Sequence, residues 1–250
     1  MEKSKTMVNR HIVAAAMVAV LCFSSHARGQ WQEWTDASET HNWNDPGNWA
    51  GNQVPGPQTD GVTVQRVPGP TISDMDAVVK SFVQIGVDND GELTIGEGRS
   101  LDVKIAVAIG CTDKAGGTLI MQKGSALKAD QLYIGNHGKA HLTLDGGRID
   151  CTHFVVARSG YLGPVSTVLL KSGAVYCFSF VMSRDCIIPP KVDIWEGKIV
   201  QSRNEVQRFK DWVHSKWIVG YGGKGEVVIA FDTADHPNCT VVTAVKPVDP

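Results

Sequence analysis

Gly91-Glu92-Leu93-Thr94-Ile95-Gly96-Glu97-Gly98-Arg99-Ser100-Leu101-Asp102-Val103 holds the pattern that decides the fold. Two apolar residues stand two apart, a glycine follows, and a second apolar pair two apart closes the unit; Ile85-Gly86 precedes it. The pattern returns at Ile109-Gly110, Leu119 and Met121, Gly124, Leu127 and Ala129. It returns again at Ile134-Gly135, Leu142 and Leu144, Gly146-Gly147, Ile149 and Cys151. A softer copy runs through Val156-Ala157, Val168 and Leu170, Gly173, Val175 and Cys177, and a fainter fifth through Val192, Ile194, Gly197 and Ile199. Leu93, Leu119, Leu142 and Val168 lie 26, 23 and 26 residues apart.

Alternation of period two places every second side chain on one face of a strand. Three such runs per unit, broken at glycines, give three short strands per turn. Self-similarity at twenty-odd residues with a strand-like inner period is the mark of a β-solenoid. Coils stacked one strand spacing apart, about 4.8 Å, then put Ile95, Met121, Leu144 and Leu170 in one interior column. Val103, Ala129, Cys151 and Cys177 form a second. A β-sandwich with regular hairpins is the competing architecture, but sandwiches seldom repeat glycines and apolar sites together.

Outward from the repeat, the amino terminus carries Lys3, Lys5 and Arg10, then an apolar run from Ile12 to Phe23 that is too short to span a bilayer, then Ser25 and Ala27. This order predicts a signal peptide over residues 1–27, cleaved near Ala27, and export to the periplasm, cell surface or medium. Leu21 before Cys22 is too large for a lipidated cysteine. Removing residues 1–27 takes away Lys3, Lys5, Arg10 and Glu2 and moves the formal charge from −2 to about −4. The rest of the chain has no basic tract, which argues against nucleic acid as a partner, and no second apolar run to act as a transmembrane segment. Five of the six cysteines lie beyond residue 27, and an odd number does not form a fully paired framework. Cys151 and Cys177 share a column in adjacent coils, so a disulfide between them and a ladder of two buried thiols are both open.

Four of the seven tryptophans, Trp31, Trp34, Trp43 and Trp49, cluster in residues 28–82, ahead of the repeat. They suit either a sugar-stacking platform or an aromatic cap over the open end of the first coil, which solenoids must cover. Val54-Pro55-Gly56-Pro57 follows them and favours the cap, because proline blunts a strand edge.

The opening Asn42-Trp43, Asn48-Trp49, Val54-Pro55-Gly56, Asp60-Gly61-Val62, followed by Ile-Gly and Gly-x-Leu-x-Ile repeats, resembles secreted bacterial β-helix proteins of the autotransporter-passenger and pectate-lyase-like type. Such openings occur in the secreted proteins of planctomycetes and related bacteria. The resemblance spans roughly residues 31–200 and implies a right-handed parallel β-helix. Its members range from adhesins and surface scaffolds to polysaccharide lyases, so a polysaccharide or a cell-surface component is the implied partner.

Beyond the repeats of residues 83–200, Asn204 can cap a helix in which Val206, Phe209, Trp212 and Val213 recur at helical spacing. Two strand-like runs, Val227 to Phe231 and Thr240 to Val245, complete a predicted carboxy-terminal cap over residues 201–250. The Gly220-Tyr221-Gly222-Gly223-Lys224-Gly225 cluster lacks the Ser or Thr of a phosphate-binding loop and suits a turn, so no cofactor is expected.

Chemistry is harder to find. Asp88-Asn89-Asp90-Gly91-Glu92 opens like a calcium loop, making Asp88 and Asp90 the candidate metal ligands, but its twelfth position is Arg99. Outward positions of the second strand read Asp102, Lys128, Asp150 and Tyr176; Lys128 between two carboxylates reads most simply as a ladder of opposite charges, and it is the one credible base for elimination from an acidic polysaccharide. Without an acid pair, triad or metal set at usable spacing, the sequence favours a noncatalytic structural, adhesion or carbohydrate-binding protein. A polysaccharide lyase is the alternative.

Overall fold

A computed structural model describes residues 30–158, 165–183 and 188–248. The expected signal peptide and Cys186 lie outside the described residues. The chain winds into a parallel β-solenoid of about 6 turns, with one short helix.

Its three faces follow from the three strands of each repeat. The first face stacks Thr71–Ile72, Gly91–Ile95 and Gly116–Met121, then the opening residues of Lys139–Val156 and of Ser166–Met182, then Lys191–Ile194 and Ile218–Gly220, all parallel. Here Ile72, Ile95, Met121, Leu144, Leu170 and Ile194 are successive register partners, each fully buried. The second face runs from Ala77–Val79 through Ser100–Ile109 and Ala126–Ile134 to Lys198–Ser202. It carries the expected column Val103, Ala129, Cys151 and Cys177. On the third face Val83, Val107, Leu132, Phe154 and Phe180 are register partners.

The glycines of the repeat occupy the corners. Gly98, Gly124, Gly146 and Gly173, between the first and second faces, have φ of 67°, 69°, 86° and 88°. At the passage from the third face into the next coil, Gly86, Gly110 and Gly135 have φ of 73°, 63° and 81°. A side chain at such φ is strained, and the softer fourth copy tolerates that with Ala157 at 57°. The turn from second to third face needs no glycine, because the strand bends through a register irregularity between Val103 and Ala106.

The coil ladder reaches back past the repeat seen in sequence. Gly61–Val64, Thr71–Ile72 and Ala77–Val79 form a further coil in register with the next. Ahead of it, Trp31–Glu33 pairs with Gly61–Val64, and Asn42 bridges to Thr71. The tryptophan segment therefore sits on the first coil, and Trp34, Trp43 and Trp49 pack edge to face with centroids 5.0 and 4.8 Å apart. Asn48, fully buried among them, takes hydrogen bonds from the Ser38 hydroxyl and backbone N–H and donates to the Thr40 hydroxyl and Asn42 carbonyl.

The other end is closed differently. The helix Val206–His214 turns Phe209 and Trp212 onto Phe180, at 5.6 and 5.9 Å, ending a stack that begins with Phe154 on Phe180 at 5.1 Å. Asn204, expected to cap this helix, accepts from the Val206 N–H at 3.3 Å, but the N-cap position itself is held by Glu205, whose side chain makes no capping hydrogen bond. Glu226–Thr233 and His236–Val245 form an antiparallel hairpin laid on Lys198–Ser202. Replacing Trp212, 4% exposed, by alanine is expected to cost about 3 to 5 kcal/mol. A urea midpoint equal to that of the unaltered chain would show that the helix does not close the core.

Candidate functional site

Asp102, Lys128, Asp150, Tyr176 and Val200 are register partners and form the outward column of the second face. A cleft of about 380 Å³ opens beside them. Lys128, Asp150, Thr152, Tyr176 and Ser202 reach into it, and Ala129, Cys151 and Cys177 line its base. Small side chains in that column leave room at the corner where the chain turns towards the third face. Pairing of Ser202 with Cys239 brings in a third thiol from the hairpin.

Charge in the cleft is organised around one ion pair. Arg148 and Asp150 stand two apart on one strand, hence on one face. Arg148 Nε and a terminal nitrogen donate to the two oxygens of Asp150, both at 2.6 Å, a bidentate fork. Its guanidinium lies 4.0 Å above the Tyr176 ring, and its pKa is raised by the hydrogen bond to Asp150. Tyr176 also meets the edge of His236, centroids 6.0 Å apart, and His236 Nε2 is 3.0 Å from Lys198 Nζ. Below the cleft, the Thr152 hydroxyl holds the Asp130 carboxyl below its usual range.

Lys128, flanked in register by Asp102 and Asp150, was expected to join a ladder of alternating charges. Asp150 turns instead to Arg148, and Lys128 makes no ion pair within 4.0 Å among the described residues. Lys128, Asp150 and Tyr176 are thus brought together, while Asp88 and Asp90 lie elsewhere. Asp90 accepts from the Gly116 N–H at 2.6 Å, and the Asp88 N–H donates to Gln65. Among the described residues, no group of three His, Cys, Asp or Glu is placed to hold a metal ion. Of the four amino-terminal tryptophans only Trp31 is exposed; Trp34, Trp43 and Trp49 have no free ring face.

Arg148 and Asp150 belong to a run of charged residues in one coil, with Asp145, His153 and Arg158, that the sequence marks as a candidate outward polar cluster; the fork between the two depends on side-chain direction. One feature escaped the sequence. An exposed aromatic pair lies at the far end of the first face: Ile194 pairs with Gly220, so the next residues, Trp195 and Tyr221, fall in one column. Their rings stack 6.0 Å apart at 13°, with Trp195 41% exposed. Asp193 fixes the turn beneath by accepting from the Gly222 N–H at 2.9 and 3.0 Å. Extending the repeat through one more coil would have aligned the two rings.

Comparison with protein-family models, with curated proteins and with solved structures finds no match to this chain. Of the resemblance drawn from the sequence, the structure bears on the fold, a β-solenoid.

The four described cysteines, Cys111, Cys151, Cys177 and Cys239, carry free thiols. Burial pushes the Cys177 thiol up to about 12 and Cys111 up to about 11, from an ordinary 9.0, and raises Cys151 as well. A folded-state pKa above the unfolded one gives stability that is complete below pH 9 and is lost as pH rises from 9 towards 11 and 12. The urea midpoint is therefore expected to fall between pH 8 and pH 10.5, and substituting alanine for both Cys111 and Cys177 should flatten that fall. An equally steep fall in the double variant would assign it to other groups.

Proposed function

We propose that this protein is an exported, noncatalytic β-solenoid scaffold that binds a polysaccharide chain in the cleft of Lys128, Asp150 and Tyr176. The observation that carries this is the clamp of Arg148 on Asp150 over Tyr176. A lyase needs a free positive group beside the substrate carboxylate and a base within reach of the proton. Here the guanidinium is spent on Asp150 and the carboxylate on Arg148. What the cleft offers instead is recognition: donors from Lys128, Ser202 and the Tyr176 hydroxyl around a concave, partly apolar surface. Lys128, which makes no ion pair among the described residues, favours an acidic polymer.

Export is part of the same proposal, supported by the charged, apolar and small-residue order of residues 1–27. Secreted material that still begins at Met1 would remove it.

Electrophoresis through gels containing pectate or alginate is expected to retard the mature protein. Lys128→Ala should weaken binding about tenfold, near 1.4 kcal/mol, with Tyr176→Ala weaker still and no unsaturated product from either polymer. No retardation in any acidic or neutral polysaccharide gel would sink the binding proposal. Unsaturated product that disappears with Lys128→Ala would replace it with the lyase.

A further inference from the structure

Two aromatic rings end the outer surface of the first face. Leu170, Ile194 and Gly220 are successive register partners at an inward position, so the residues after them, Lys171, Trp195 and Tyr221, form an outward column. The ladder continues beneath this column. The Trp195 N–H donates to the Leu170 carbonyl and the Glu196 N–H to the Lys171 carbonyl, both at 2.9 Å. Lys171 turns its ammonium back to Asp145 of the preceding coil, at 3.4 Å, which leaves the outer side of the column to the two rings. Rings in face contact lie about 3.5 Å apart, so two rings at 13° with centroids 6.0 Å apart overlap only in part. Trp195 is 41% exposed.

The chain holds Tyr221 here against its backbone preference. Its φ is 50°, left-handed for a residue with a ring, and Gly222 and Gly223 follow at 69° and 88°. Asp193 anchors the turn, both its oxygens accepting from the Gly222 N–H. Gly225 lies against the ring, where an added Cβ would come 2.7 Å from Tyr221 Cδ2. The glycine-rich run Gly220 to Gly225, a plain turn when read in sequence, is therefore the seat of one ring.

The surroundings select the class of ligand. A protein partner buries about 800 Å² on each side around an apolar centre, and two rings bordered by exposed Glu196, Gly222, Gly223 and Lys224 do not supply one. A single-stranded nucleic acid stacks its bases on aromatic rings but needs a basic groove for its phosphates. Here the charges nearest in the chain are Asp193, Glu196 and Lys224, with no basic tract, and they give an acidic polymer no advantage either. A neutral sugar fits both parts of the site. Its C–H face lies against the negative face of an aromatic ring, and its hydroxyls donate to carboxylates and bond to the exposed backbone of the turn.

We infer that Trp195 and Tyr221 form a second saccharide site, on the first face, that takes the pyranose rings of a neutral polysaccharide. It stands apart from the Lys128 cleft of the second face and does not depend on it. Trp195 supplies the main stacking surface, Tyr221 extends it by one coil, and Asp193 acts as a positioning residue through the turn.

Electrophoresis of the mature protein through gels of hydroxyethylcellulose, xylan or galactomannan is expected to show retardation in at least one. In that polymer Trp195→Ala should weaken binding at least tenfold with the urea midpoint unchanged, while Lys128→Ala binds like the parent. Retardation in pectate or alginate should be the same for Trp195→Ala as for the parent, so failure of this site and failure of the cleft are separate results. Titration with the retarding polymer should shift the tryptophan emission of the unaltered protein. Trp195→Phe, which keeps a ring in the stack, should still bind but lose that shift. No retardation by any of the three polymers overturns the inference. So does binding that survives Trp195→Ala, or an emission shift that persists in Trp195→Phe. Self-association abolished by Trp195→Ala would give the rings to a second copy and overturns it too.

Discussion

Backbone hydrogen bonding between coils in register is the constraint on which everything else rests. Parallel coils about 4.8 Å apart set each position of the repeat directly over its equivalent, so every residue choice is made for a column. Apolar columns such as Ile95, Met121, Leu144 and Leu170 fill the interior and are fully buried. The same rule stacks Phe154 on Phe180 inside and Trp195 on Tyr221 outside. It also puts like charges in danger of meeting, and the outward column Asp102, Lys128, Asp150 and Tyr176 avoids that by alternation.

A stack held this way has two open ends, and the chain closes them with different chemistry. At the amino end three buried tryptophans fill the hollow, and Asn48 at their centre has both its carbonyl and its amide satisfied. A buried amide with partners costs little, whereas one without them costs about 1 to 3 kcal/mol; the turn from Ser38 to Trp49 exists to supply those partners. At the carboxyl end an amphipathic helix covers the aromatic stack of the third face, while the second face is extended by a hairpin. The hairpin closes the interior and carries Cys239 to the cleft and His236 against the Tyr176 ring.

The cleft arises where two of these rules meet. Columns permit small side chains wherever the coil turns, and Ala129, Cys151 and Cys177 leave a hollow at one corner. Alternation along the strand puts Arg148 and Asp150 on the same side, where Tyr176 of the next coil supports the guanidinium. The thiols below are shielded by the surroundings that raise their pKa values, so they behave as small apolar groups. Recognition, in such a site, falls to the polar groups on its rim.

The sequence by itself determined the solenoid, its columns and the positions of its corners, because period-two alternation and glycines needing positive φ are local properties that repeat. It also placed Lys128, Asp150 and Tyr176 in one outward column, since that follows from counting within the repeat. The earlier coil at Gly61–Val79 was not legible, as its strands are only two to four residues long and carry no repeated glycine. Only the tertiary structure decided that Asp150 binds Arg148 rather than Lys128, that Trp34, Trp43 and Trp49 are buried while Trp195 is exposed, and that the hairpin completes the cleft. Those outcomes depend on side-chain direction and on which surface each end of the chain covers. Neither is set by neighbours along the sequence.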